Sequence, residues 1–181
     1  GIGIFFTKRK GIYVLRSEAF EVAMFCKSVL ERILIAAAEA EIGTVEKAFF
    51  SFGDANRVEA VFIAYKLVYS KNYWLTAFSA FDTYGLKLLT AGRYYYSNIK
   101  PRPSDVVMHC LAVSRDVRSS SYICALILKT GFDARRLLLE KRGKFGIPAS
   151  FLQELIEFLE SNGVKSFNDV SFNEVEAIAN A

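Results

Sequence analysis

PRPSDVVMHCLAVSRDVRSSSYICALILK, Pro101 to Lys129, holds two apolar helical patterns that meet at a polar corner of Ser114, Arg115, Asp116 and Arg118. Pro101 and Pro103 cannot continue a preceding helix, and each biases the residue before it toward extended geometry. A helix is therefore expected directly after them. Ser104 or Asp105 can take up free first-turn amides, and Val106, His109, Cys110 and Val113 recur on one face at helical spacing. Asp116 suits the start of a second helix, in which Tyr122, Ile123, Ala125, Leu126 and Leu128 leave little polar surface before Gly131 stops it. Both helices belong in a core.

Working outward toward the C-terminus, Asp133 is expected to cap a short basic helix ending at Lys141, with Gly143 as its stop. Pro148 fits the first turn of the next helix, whose stripe is Phe151, Leu152, Leu155, Phe158 and Leu159 and whose stop is Gly163. Ser171 and Glu174 match a capping box for a final helix.

Toward the N-terminus, Ile2 to Phe6 and Gly11 to Leu15 are β-prone runs separated by Thr7, Lys8, Arg9 and Lys10, the pattern of a hairpin with a basic turn. Ser17 opens a long helix to about Ala40, with Phe20, Met24, Leu30, Leu34 and Ala38 among its apolar positions. Thr44 to Phe52 reads as a short helix. A further helix is expected from a cap at Asp54 to Tyr69, with a stripe of Val58, Val61, Phe62, Tyr65 and Val68, and another over Tyr73 to Tyr84, ended by Gly85. From Leu86 to Ile99 the helical period fades into short strands or an extended loop around Gly92. The fold class expected is mainly α, a multi-helix bundle with a small N-terminal β-hairpin, divided into a hairpin at 1–16, an N-terminal helical part at 17–100 and a C-terminal helical part at 101–181 of one compact domain.

Composition bounds the function. The chain has 181 residues, 52% hydrophobic and 14% aromatic, with a mean hydropathy of +0.23, rich for a domain whose charged share is 23%. Part of that apolar surface is expected to meet another chain. The richest window, Val22 to Ala38, is broken by Lys27, Glu31 and Arg32, so no membrane span is expected. The opening GIGIFFTKRK carries its charges after its apolar residues, the reverse of a secretory signal, and a cytoplasmic location is expected. Cys26, Cys110 and Cys124 are odd in number and set in apolar patterns, which reads as core packing and not as disulfides or a metal site. The net charge of +4 permits nucleic-acid contact without requiring it.

Few motifs carry chemistry. Arg115 and Asp116 near the only histidine, His109, can be drawn as an acid and base pair, but a single histidine on an apolar helix face is more often a core residue with a local hydrogen bond. GKFG at 143–146 has the form of a KH-domain GxxG loop, but a helix stop followed by a Pro-led start is the favoured reading because the flanking strands of a KH core are not evident. Walker, Rossmann, GxSxG and HExxH signatures are missing. The chain is therefore expected not to be an enzyme, with no catalytic residues, no metal ligands and no cofactor. Lys8, Arg9 and Lys10 are the candidate nucleic-acid contacts, because cations on a protruding turn add sequence-independent affinity for phosphate. Arg93, Tyr94, Tyr96 and Lys100 are candidate contacts to a partner or to nucleic acid, since aromatic rings between cations can stack bases.

KGIYVL at Lys10 to Leu15 is similar to the last strand of a wing, YWLTAFSAFDTYGL at Tyr73 to Leu86 to a helix following a wing domain, and SDVVMHCL at Ser104 to Leu111 leads into a capped tail. In this order the features resemble winged-helix regulators related to antitoxins of the AbiE type. The resemblance implies a DNA-linked transcriptional regulator or antitoxin-like protein, with a recognition helix preceding Gly1 and a helical region that binds a protein partner or a second copy as a dimer. The alternative is a helical interaction module with no nucleic-acid role. A third reading rests on Arg102 and His109, which resemble the arginine and histidine of HEPN-type ribonucleases, although Pro103 sets Arg102 outside the helix.

Overall fold

The computed structural model describes residues 6–9, 12–15, 17–52, 58–97, 99–141 and 143–181, with side chains from Val22 onward. It is a mixed α/β fold, which overturns the expected mainly-α bundle. At its centre lies a four-stranded antiparallel sheet in the order β3-β4-β6-β5, built from β3 (Val45–Phe52), β4 (Val58–Ala64), β5 (Tyr73–Leu75) and β6 (Arg93–Ser97).

Three segments expected to be helical supply β3, β4 and β5, while β6 falls in the stretch expected to hold short strands. VEKAFFSF and VEAVFIA pair antiparallel with a bulge between Val45 and Lys47, Phe49 opposite Val61 and Phe50 opposite Ala60. VEAVFIA is nearly continuously apolar, as in a strand covered on both faces, and such a run fits a helical stripe as well as a strand. The ladder decides between them. Tyr73–Leu75 joins β6 with Trp74 opposite Tyr96. The amide of Thr76 extends that ladder to the Tyr94 carbonyl at 2.9 Å, so the helical part of the expected 73–84 helix is only a 3-10 turn, Ala77–Tyr84. Gly85 ends it in the left-handed region, as expected of a C-cap.

A separate two-stranded hairpin precedes the sheet: β1 (Phe6–Arg9) and β2 (Ile12–Leu15), with Lys8 opposite Tyr13 and Arg9 opposite Ile12. Thr7, Lys8 and Arg9 thus lie in a strand and not in the turn. Helix α1 (Ser17–Ile42) follows. Its C-terminal end buries Ala38 and Ile42, with Leu34 and Ile35, on the face formed by Ala60, Phe62, Ala64 and Tyr95.

The opposite face carries the larger core. The 3-10 turn packs there with α2 (Pro103–Val113), α3 (Val117–Thr130), α4 (Arg135–Lys141), α5 (Ala149–Glu160) and α6 (Phe172–Asn180). Helix starts in this part follow local chemistry. Asp116 caps α3 by accepting the Ser119 amide at 2.8 Å, and Gly131 closes the helix in the left-handed region. Pro103 is the first residue of α2, with Arg102 as N-cap. Two caps differ from expectation: Pro148 is the N-cap of α5, and Ser171 caps α6 without a side-chain hydrogen bond. The expected cap Asp54 lies outside the described residues.

Candidate functional site

The polar groups of α2 form a structural lock. Asp105, in the first turn, accepts the Arg102 amide at 3.0 Å and the Arg102 Nε at 3.3 Å. Its other oxygen accepts from Lys141 Nζ at the end of α4, and both side chains of this pair are buried. Burial pushes the Asp105 carboxyl up, but the bonds from Lys141 and Arg102, with the Lys141 charge, outweigh it and hold the group below its ordinary value. Arg136 and Arg102 then share Glu140, which completes a network tying α4 to the start of α2.

His109, two turns along α2, is 1% exposed. Its Nδ1 shares a 2.6 Å hydrogen bond with Thr76 Oγ1, its ring lies 4.5 Å from that of Tyr96, and Phe145 meets it edge-on at 5.5 Å. Burial drives its pKa down to about 3, so it is neutral at physiological pH. The structure thus places His109 in the core with a local hydrogen bond and Arg102 at the exposed N-cap of α2. The GKFG loop is also occupied by packing. Phe145 adopts a positive φ of 52°, its amide donates to Ser51 Oγ on β3 at 3.1 Å, and Lys144 pairs with Glu59 on β4. The loop is folded onto the sheet instead of projecting toward a nucleic-acid backbone.

The polar corner is a capping device. Asp116 takes bonds from Ser114 and Ser119, which hold its carboxyl below the ordinary value, and Asn168 donates to the Arg115 carbonyl and to Ser120. Cys110 and Cys124 are buried and their thiols are pushed up, that of Cys124 to about 12. Cys26, expected in the core, is exposed.

The four residues proposed to meet a partner separate. Tyr94, Tyr95 and Tyr96 alternate across β6. Tyr95 faces the α1 side fully buried, with its hydroxyl taking the Val68 amide at 2.7 Å and donating to the Lys66 carbonyl at 3.0 Å. Tyr94 stacks edge-on to Phe78 at 5.9 Å, and Tyr96 covers His109, so both are packing residues. Arg93 is half-buried opposite Ala64. Lys100 alone of the four is exposed, and it lines a cleft of about 420 Å³ beside β5, together with Tyr69, Tyr73, Trp74 and Tyr84. Tyr69, Trp74 and Tyr84 are not among the contacts expected from sequence. The available signal was three aromatics at 69, 73 and 74 around the polar joint Ser70–Lys71–Asn72.

Of the basic hairpin, Lys8 and Arg9 stand on β1 and Lys10 lies outside the described residues. Directly after the hairpin, the N-terminal half of α1 leaves Met24, Phe25, Val29, Leu30 and Ile33 exposed, Phe25 by 67% and Ile33 by 58%. Phe25, Val29 and Ile33 repeat every four residues, with exposed Ala36 and Ala40 continuing the same line. This stripe carries no charge.

Among the described residues, no group of three or more His, Cys, Asp or Glu side chains could hold a metal ion. Nor is any described helix long and apolar enough to cross a membrane. No curated protein and no solved structure matches the chain. A family model described as HVO_2833_C, C-terminal, matches residues 70–174, from the segment leading into β5 to the first turn of α6. The match spans more than half of the chain, which therefore belongs to the HVO_2833_C, C-terminal, family.

Proposed function

We propose that this chain is the self-associating, partner-binding part of a DNA-linked regulator of the antitoxin-like kind, acting in the cytoplasm. The observation that carries the reading is the uncharged stripe of Phe25, Val29 and Ile33 on a 26-residue helix that begins immediately after a hairpin bearing Lys8 and Arg9. A helix whose apolar core contacts run only from Leu34 to Ile42 leaves apolar surface along the rest of its length that water disfavours. The stripe is uncharged along its length and flattens to alanine toward one end, so a second copy of α1 can approach it closely. In the resulting dimer the two copies of Lys8, Arg9 and Lys10 are the candidate phosphate contacts.

The test combines light scattering with binding to generic duplex DNA over a range of salt. A dimer is expected, with an affinity that falls steeply with salt. Replacing Lys8, Arg9 and Lys10 together by alanine should lower the salt slope by about 0.9 for each phosphate contact removed. An unchanged slope removes the hairpin's role. The exposed stripe favours a second reading, a protein interaction module without nucleic acid, which is the outcome if the dimer forms and ignores DNA at low salt. A monomer in every condition refutes self-association.

A further inference from the structure

The chain's single tryptophan, Trp74, lies on β5 at an edge of the sheet, beside the cleft of about 420 Å³. That volume is within the range of small-ligand pockets, roughly 300–1,000 Å³. Its walls are unusually aromatic: Tyr69, Tyr73, Trp74, Tyr84 and Tyr95 all contribute. Tyr95 is the fixed wall, its hydroxyl held by the 66–68 segment, whereas Tyr69 is 91% exposed. Among the described residues, the Tyr69 ring takes part in no aromatic pair and the Trp74 indole N–H donates no side-chain hydrogen bond.

The charge of the lining is one-sided. None of its residues is acidic, and one, Lys100, is a lysine that forms no salt bridge among the described residues. Glu41, which touches the lining at Ser70, is occupied by hydrogen bonds from Ser70 Oγ at 2.5 Å and Asn72 Nδ2 at 2.7 Å. The groups left to meet a ligand are therefore aromatic faces, a few apolar side chains, hydroxyls and one cation. A flat ring is complementary to the faces, and an anionic group on that ring to the ammonium.

We propose that this cleft binds a small planar aromatic anion, its ring against Tyr69 and Trp74 and its anionic group on Lys100. Such a ligand can be a nucleotide or an aromatic carboxylate, which share the ring and the charge. Binding needs neither DNA nor a second copy, so it stands or falls separately from the regulatory reading.

Trp74 is its own reporter. Indole emission of the full chain is titrated with adenosine monophosphate and with benzoate, and with neutral adenosine as the comparison. Saturable change with one of the two anions is expected and identifies the source. Adenosine should bind about tenfold more weakly than its monophosphate if the nucleotide is the ligand, because a charge-assisted hydrogen bond is lost. Lys100→Met and Tyr69→Ala, both at exposed positions, should each weaken binding about tenfold with urea unfolding unchanged. The proposal is overturned if neither anion gives saturable change, or if Lys100→Met binds as tightly as the parent.

Discussion

Replacing Lys141 by methionine keeps the length and apolar bulk of the stem and removes only the ammonium. In the folded protein the Lys141 and Asp105 side chains are 7% and 8% exposed, so the change leaves a carboxylate in the core without its principal partner. Removing one member of a buried pair costs about 3–5 kcal/mol. Asp105 keeps the Arg102 amide at 3.0 Å and Arg102 Nε at 3.3 Å, which points to the lower end, about 3 kcal/mol. For a chain of this size, at about 2–4 °C per kcal/mol, Tm should fall by roughly 6–12 °C. Urea unfolding followed by Trp74 emission measures the cost, and a cycle with Asp105→Asn isolates the pair. The double variant should recover much of the loss, because no uncompensated charge remains. The pH dependence has a definite sign. In the parent, the carboxyl's folded pKa lies below its unfolded one, so its contribution is present above the unfolded value and is lost as pH falls through the folded value. Without Lys141, burial dominates and the folded pKa rises, so the deficit of Lys141→Met should narrow on acidification. A cost under about 1 kcal/mol, or a deficit that widens at low pH, would refute the assignment of Lys141 as the group that compensates Asp105.

Two further predictions follow from the core and one tight turn. His109 is the only histidine, and its pKa is lowered from 6.5 to about 3 on folding, so protons bind the unfolded chain preferentially. Stability should therefore fall by about 1.4 kcal/mol per pH unit once pH drops below the unfolded value, and urea midpoints of His109→Gln should lack that slope in mildly acidic buffer, above the carboxylate range. Gly163 has φ of +80°, and a Cβ there would lie 2.5 Å from the Cβ of Phe172. Gly163→Ala combines left-handed strain of about 1 kcal/mol with displacement of Phe172, and thermal unfolding should show a total cost of roughly 2 kcal/mol or more. A loss no larger than that of an exposed alanine substitution would show that the α5–α6 turn relaxes freely.

The legible parts of the chain are those whose cause is local. The Pro101–Pro103 entry, the Asp116 cap and the Gly85 and Gly131 stops act within one helical turn, and each appears in the structure where the residue types place it. The candidate contacts were less legible. Tyr94 and Tyr96 are taken up by Phe78 and His109 respectively while Lys100 stays exposed, and no feature of RYYYSNIK states that. Lys141 looks like an exposed end of a basic helix until Asp105, 36 residues away in sequence, takes its charge.

By itself, then, the sequence determined where helices α2 and α3 begin and end and that His109 belongs to a core. Only the tertiary structure decided that Val45–Phe52, Val58–Ala64 and Tyr73–Leu75 are strands, and that aromatics at 69, 73, 74, 84 and 95 converge on one cleft with Lys100. The physical reason is the range of the bonds involved. A helix closes its hydrogen bonds four residues away and advertises its ends in the chain, whereas a sheet closes them across partners such as Phe62 and Tyr95, whose meeting depends on everything folded between them.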